Sequence, residues 1–317
     1  MPTFCRHNRF IGNCPICSPP TAPAEEGRSA ARARTRAPAR GRGARGVAGV
    51  RVRQVARVAD DGYRSPLVPG LKLEDDARRL AEELAVATGR LEELATAPPG
   101  LYAEVASAPD AEEAIWLAFL IAYLGPLEEE DPFAGIAAAR VPWAGGAAPR
   151  LDGVPTGART AHDPARGPAT TEAYRAWAAR AGSQEQAFAG EPNWSPERRF
   201  NQAFDRLALP GLHRAARFDL LATLGRLGRA DVRPGSLRLG GSDPVTTTAK
   251  RAFGIGDTVL LERRSRELAE ACGVPVAALD LALENLGRPA GERLLLGARP
   301  GALDEAARGR ALGALGL

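Results

Sequence analysis

LPGLHRAARFDLLATLGRLGRADVRPGSLRLGGSDPVTTTAKRAFG, residues 209–254, is the stretch from which the fold is read. Leu209, Pro210 and Gly211 make a tight turn, because proline fixes its own φ and glycine accepts conformations closed to other residues. The turn opens a helical run carrying Phe218, Leu220, Leu221 and Leu224. A glycine-rich loop then delivers Ser242 and Asp243 just ahead of Pro244, a normal helix start, and the next helix, Thr246 to Phe253, ends at Gly254. The order is turn, helix, loop, acid, helix.

Helical signals extend outward in both directions. Upstream, Leu73-Glu74-Asp75-Asp76 opens a helix to about Ala95, with Leu80, Leu84, Leu91 and Leu94 at near-helical spacing. Pro98-Pro99-Gly100 breaks it, and a short helix follows from Leu101 to Ala106. Asp110 is placed to cap Ala111–Leu124, a run apolar on nearly all sides and therefore expected at the centre of the core. Val141 to Pro168 reads as a long connection, and Thr170 or Thr171 as the cap of a helix with Tyr174 and Trp177. Ser195-Pro196 starts a helix whose inner stripe is Phe200, Phe204 and Leu207. Downstream, Asp257 to Cys272 is expected to bury Val259, Leu260, Leu261 and Leu268 and to expose Arg263, Arg264 and Arg266. Cys272 reads as a small core residue. Val276 to Leu286 is the last strong helix, and the pattern weakens after it. The fold class is all-α.

The chain of 317 residues divides by composition into residues 1–18, a flexible Arg/Pro/Ala-rich linker over 19–66, a helical domain over 67–290 and a tail over 291–317. Cys5, His7, Cys14 and Cys17 supply three thiolates and an imidazole, a full tetrahedral set for one structural zinc ion; a redox pair or an unliganded segment is the competing reading. Such a zinc knuckle leaves no open position for catalysis and points to contact with DNA or a protein partner. The net charge of +4 is unevenly spread: Ala30 to Ala59 holds nine arginines and no acid, which suits a polyanion or a solvated linker. The apolar run Ala114–Leu124 is well below the roughly 20 residues that span a bilayer, so no membrane is implied, and no secretory signal precedes Arg6; a cytoplasmic protein is expected.

The 209–254 arrangement resembles the second half of the helix-hairpin-helix DNA glycosylase fold. There a Leu-Pro-Gly hairpin grips the DNA backbone, and an aspartate heading the next helix faces the target sugar. The chain departs from that pattern at His213, where a second glycine is usual, and at Ala215 and Ala216, where lyases carry a lysine nucleophile; Schiff-base chemistry is disfavoured. Within the superfamily, the long 141–168 loop, the acidic Glu128-Glu129-Glu130-Asp131 segment and the run from Asp243 to Gly254 are similar to the alpha-glutamyl/putrescinyl thymine pyrophosphorylase group. The likeness spans roughly residues 67–286.

The resemblance implies a helix-hairpin-helix DNA glycosylase-like domain that binds DNA and acts on a modified base. Gly211, His213, Arg214, Lys250 and Arg251 would meet phosphates, although solvated helix charge is the ordinary reading of the last two. A base must leave the stack to be attacked, and Asp243 would stabilise the developing sugar cation and direct water; capping its helix explains the same residue structurally. Glu128 and Asp131 are further candidate carboxylates, against a solvated loop. Trp143, His162 and Tyr123 are candidates for a base pocket, against packing and turn roles. The leading expectation is a monofunctional glycosylase hydrolysing the bond to a modified base, in repair or defence against phage DNA. The alternatives are a base-modifying transferase that displaces pyrophosphate from a modified thymine, and a non-enzymatic DNA-binding adaptor.

Overall fold

The computed structural model describes residues 59–299, 301 and 303–317. Cys5, His7, Cys14 and Cys17 and the arginine-rich run up to Val58 lie outside them. Every regular element among the described residues is a helix.

In chain order these are α1 (Glu74–Thr96), α2 (Leu101–Ser107), α3 (Ala111–Leu124), α4 (Ala134–Ala139), α5 (Gly167–Ala181), α6 (Gln184–Ala189), α7 (Pro196–Arg206), α8 (Arg214–Arg226), α9 (Pro244–Phe253), α10 (Thr258–Cys272), α11 (Val276–Gly287) and α12 (Glu305–Leu315). Several start where a short polar side chain caps the free amides of the first turn. Asp110 accepts from the Glu112 and Glu113 amides, Ser195 from Arg198, and Asp257 from Leu260. α1 is capped from a distance, because Leu73 offers no side-chain acceptor and Asp61 takes the Glu74 amide at 2.8 Å instead.

α3 runs through the core with every residue from Ala114 to Leu124 buried, as its all-round apolar sequence requires. It packs on α8, α2 and α6; α1 packs on α11 and α12, and α11 on α9. A ladder of rings from Tyr123 through Phe119, Tyr174 and Trp116 to Trp143 fills one side of this core, with Phe119 and Tyr174 stacked 3.8 Å apart. Cys272 is buried, and burial pushes its thiol up to about 11.

Four expectations are corrected. Thr170 and Thr171 lie inside α5, which begins at Gly167 with Pro168 in its first turn. Val259 and Leu260 are 75% and 38% exposed: they lie in the first turn of α10, just after the Asp257 cap, and burial begins at Leu261. Residues 291–317, read as a tail, contain α12, which buries Ala307, Ala311 and Leu315 against α1 and α10. Order also begins before residue 67, because the Tyr63 hydroxyl donates to the Leu315 carbonyl at 2.8 Å. No helix among the described residues is long and apolar enough to cross a membrane.

Candidate active site

The Leu209–Gly211 turn stands between α7 and α8 and is closed by the Leu212 amide donating to the Leu209 carbonyl at 3.1 Å. Gly211 sits at φ +79° with Thr170 Oγ1 2.2 Å from where a Cβ would be, so backbone strain and lack of space both require glycine. His213 then caps α8: its Nδ1 faces the Ala216 amide at 3.5 Å and its Nε2 faces the Thr160 carbonyl at 2.7 Å. With an amide donor at one ring nitrogen and a carbonyl at the other, the neutral Nε2–H tautomer fits. The histidine is a strut between the hairpin and the 157–163 loop.

The first residue of α8, Arg214, is where the structure departs most from the sequence reading. Expected at a phosphate, it is 7% exposed and turned inward. Its guanidinium donates to the carbonyls of Leu237 and Arg238 and to the Asp280 carboxylate of α11, and its Nη1 lies 3.6 Å from Asp243 Oδ1. Position N1 of α8 points at the core because the inner stripe of that helix includes Arg214, Phe218 and Leu221, and the guanidinium stacks against the Phe218 ring at 5.3 Å.

Arg214 is half of a buried ionic cluster. Arg159, at the end of the long loop and 3% exposed, donates to both carboxylate oxygens of Asp219 (2.8 and 2.9 Å), to Asp280 at 2.7 Å and to Glu284 at 2.6 Å. Asp280 and Glu284 are four apart on α11, and so share one face. The cluster thus joins the 157–163 loop, α8, the α9 start and α11. Burial alone would raise the Asp280 carboxyl, but the flanking Arg214 and Arg159 guanidiniums hold it below its ordinary value. For Glu284 burial wins over Arg159, and the neighbouring Asp280 and Asp219 carboxylates add to the rise. Burial would lower Arg159; its three carboxylates reverse that and raise it well above the usual arginine value.

Asp243 is the N-cap of α9, accepting from the Thr246 amide at 3.2 Å and the Thr246 hydroxyl at 2.5 Å. Its side chain keeps 19% of its surface open. Lys250 folds back to the Gly241 carbonyl at 3.3 Å and Arg251 reaches the Leu286 carbonyl at 3.0 Å, so both tie the α9 face to its neighbours while remaining at the surface.

Beside the hairpin lies an open cavity of about 440 Å³ lined by Gly211, His213, Thr160, His162, Asp163 and Arg166, among others. Three of the expected site residues therefore converge here. Tyr123 supports the place from beneath: its hydroxyl is 3.1 Å from His162 Nδ1, but its ring is fully buried and cannot stack on a base. Trp143 belongs to the other end of the aromatic ladder, with the Arg175 guanidinium 4.4 Å over its ring. Glu128 and Asp131 line a different cavity, of about 740 Å³, whose lining shares no residue with the one at the hairpin. There Glu128 accepts from the Leu295 and Leu296 amides, and Asp131 from the Phe133 amide.

Arg159, Asp219, Asp280 and Glu284 were not singled out from sequence. A signal existed: two acids four apart in the largely apolar VAALDLALENLG contradict a buried helix unless paired. Their partner, Arg159, sits in a glycine-rich loop where nothing local marks it. Among the described residues no group of three or more His, Cys, Asp or Glu side chains is placed to hold a metal ion.

Residues 160–283 match the family model of the alpha-glutamyl/putrescinyl thymine pyrophosphorylase clade 3. The matched segment starts one residue after Arg159 and stops one before Glu284, so it contains the Leu209–Gly211 turn, Arg214, Asp219, Asp243 and Asp280. No curated protein and no solved structure matches the chain.

Proposed function

We propose that the chain acts on a modified thymine in DNA, displacing pyrophosphate from the base and leaving the glycosidic bond intact. The observation that carries this reading is the pyrophosphorylase match over 160–283, the segment that holds the hairpin and most of the buried ionic cluster. Chemistry on a base requires that it leave the stack.

In the reaction the incoming nucleophile bonds to the carbon that carried the pyrophosphate. The carbon–oxygen bond breaks, its electron pair departs with pyrophosphate, and the proton released by the nucleophile goes to a carboxylate. Asp243 is assigned that last role. It is partly open, and the Thr246 amide and hydroxyl fix its orientation, with the Arg214 guanidinium 3.6 Å away. The zinc knuckle at Cys5, His7, Cys14 and Cys17 is proposed as an accessory DNA- or protein-contacting element.

The test is release of pyrophosphate from DNA carrying a pyrophosphorylated thymine, supplied with a primary amine as nucleophile. Wild type is expected to release it and Asp243→Asn to lose at least about a hundredfold in rate, the usual scale for a positioned proton acceptor. Undiminished release by Asp243→Asn would remove the residue from the mechanism.

A further inference from the structure

α7, the 235–240 loop and the start of α10 enclose a groove of about 400 Å³ lined by Phe204, Ser236, Arg238, Thr258, Val259 and Arg266, with Leu239 and Glu262 completing it. Its charge is one-sided in what remains free. Both carboxylate oxygens of Glu262 are already taken by the Leu237 and Leu239 amides. Arg238 shares an ion pair with exposed Asp205, its side chain remaining 29% exposed, and its guanidinium lies over the Phe204 ring at 5.2 Å. Arg266 is exposed and in no ion pair among the described residues, and the Thr258 hydroxyl adds a donor, whereas that of Ser236 is turned to Asn201 Oδ1 at 3.5 Å. Val259 and Leu260 stand out at the lip, the large apolar side chains left exposed among the described residues.

Two further features mark the loop. Arg238 is held at φ +55°, a left-handed conformation that a side chain this size adopts only when its surroundings impose it. The loop is clamped there from two sides: the Arg214 guanidinium takes the carbonyls of Leu237 and Arg238, and Glu262 takes the amides of Leu237 and Leu239. The same guanidinium reaches Asp243 at 3.6 Å, so the groove and the candidate catalytic carboxylate sit at two ends of one pinned loop.

The geometry points to this groove as the seat of a DNA strand flanking the modified base, with Arg238 and Arg266 on phosphates and Val259 against a deoxyribose. The inference rests on the reading of the chain as an enzyme of DNA bases. The free donors are cationic or hydroxylic, the acids are spent on backbone amides and Arg238, and an apolar edge suits the sugar face of a strand. A strand lying there continues along the 235–243 loop toward Asp243.

The test is fluorescence anisotropy of the full chain with labelled single-stranded and duplex oligonucleotides over a salt series. Arg238→Gln/Arg266→Gln is expected to weaken binding roughly tenfold and to flatten the salt slope by about 2, one for each phosphate left without its arginine. Arg78→Gln/Arg308→Gln, which removes equal charge from α1 and α12, is expected to leave both unchanged. Val259→Glu, at a position too exposed to disturb folding, is expected to weaken binding with no change in melting temperature. Wild-type-like affinity in the double arginine variant, an equal loss in the control pair, or no DNA binding by wild type would overturn the inference. The readout is independent of turnover. Selective loss of binding in an enzyme that releases no pyrophosphate sinks the proposed reaction and leaves the groove, whereas pyrophosphate release with unaffected binding does the reverse.

Discussion

Asp280 and Glu284 stand one helical turn apart on α11 and face the same arginine, yet their environments push them in opposite directions. Asp280 lies between Arg159 and Arg214, so its folded carboxyl titrates below its unfolded value, and its contribution to stability is present above the unfolded range and lost as pH falls through the folded one. Glu284 titrates above its unfolded value, so its ionised form costs stability near neutral pH and acidification relieves that cost. Asp280→Asn leaves two guanidiniums buried without their shared anion and is expected to lower unfolding free energy by about 3–5 kcal/mol near neutral pH, with the deficit shrinking in acid. Glu284→Gln is expected to cost markedly less, and to compare better with wild type at neutral pH than in mild acid. Urea melts at several pH values check both. Equal losses for the two variants would show that the cluster does not discriminate between its carboxylates.

At the scale of elements, the sequence was most legible where a cap and an apolar stripe agreed. α3 and α7 start at their expected caps, Asp110 and Ser195, and α9 ends at Gly254 in the left-handed conformation that favours glycine. It was least legible where tertiary contact decides. The same first turn of α10 that reads as apolar lies outside the core, and Arg214 reads as a phosphate ligand because periodicity alone cannot reveal the buried Asp280 opposite it. The hairpin carries its own test. Gly211→Ala forces a Cβ into Thr170 Oγ1 at a positive φ, and is expected to destabilise by roughly 1–3 kcal/mol. Gly211→Ala combined with Thr170→Ala, scored by thermal melts, separates the two causes. Removing the Thr170 side chain is expected to recover only the steric part, and full recovery would show that φ +79° costs nothing there.

At the scale of the molecule, the helical class of the described residues was readable in the sequence, while the chain's closure was not. α12 lacks a sharp amphipathic stripe, so nothing in its sequence announces that it packs on α1 and α10 or that Tyr63 reaches its last turn. Truncation after residue 303 uncovers the surface of α1 that α12 covers and removes the Tyr63 acceptor; the truncated chain is expected to be cleaved by protease at least about tenfold faster than the full chain, the effect of roughly 1.4 kcal/mol when opening is rapid. The candidate site was half legible: Gly211, His213, His162 and Asp243 were named from sequence, whereas the Arg159 cluster that binds their elements together depends on partners far apart in the chain. The central claim is that this assembly changes a thymine without detaching it. The most direct measurement is mass spectrometry of nucleosides digested from hypermodified-thymine DNA after incubation with the full chain, alongside alkaline cleavage of the same DNA. A nucleoside of altered base mass with no alkali-labile sites is expected; free base and abasic sites, with no altered nucleoside, would contradict the claim.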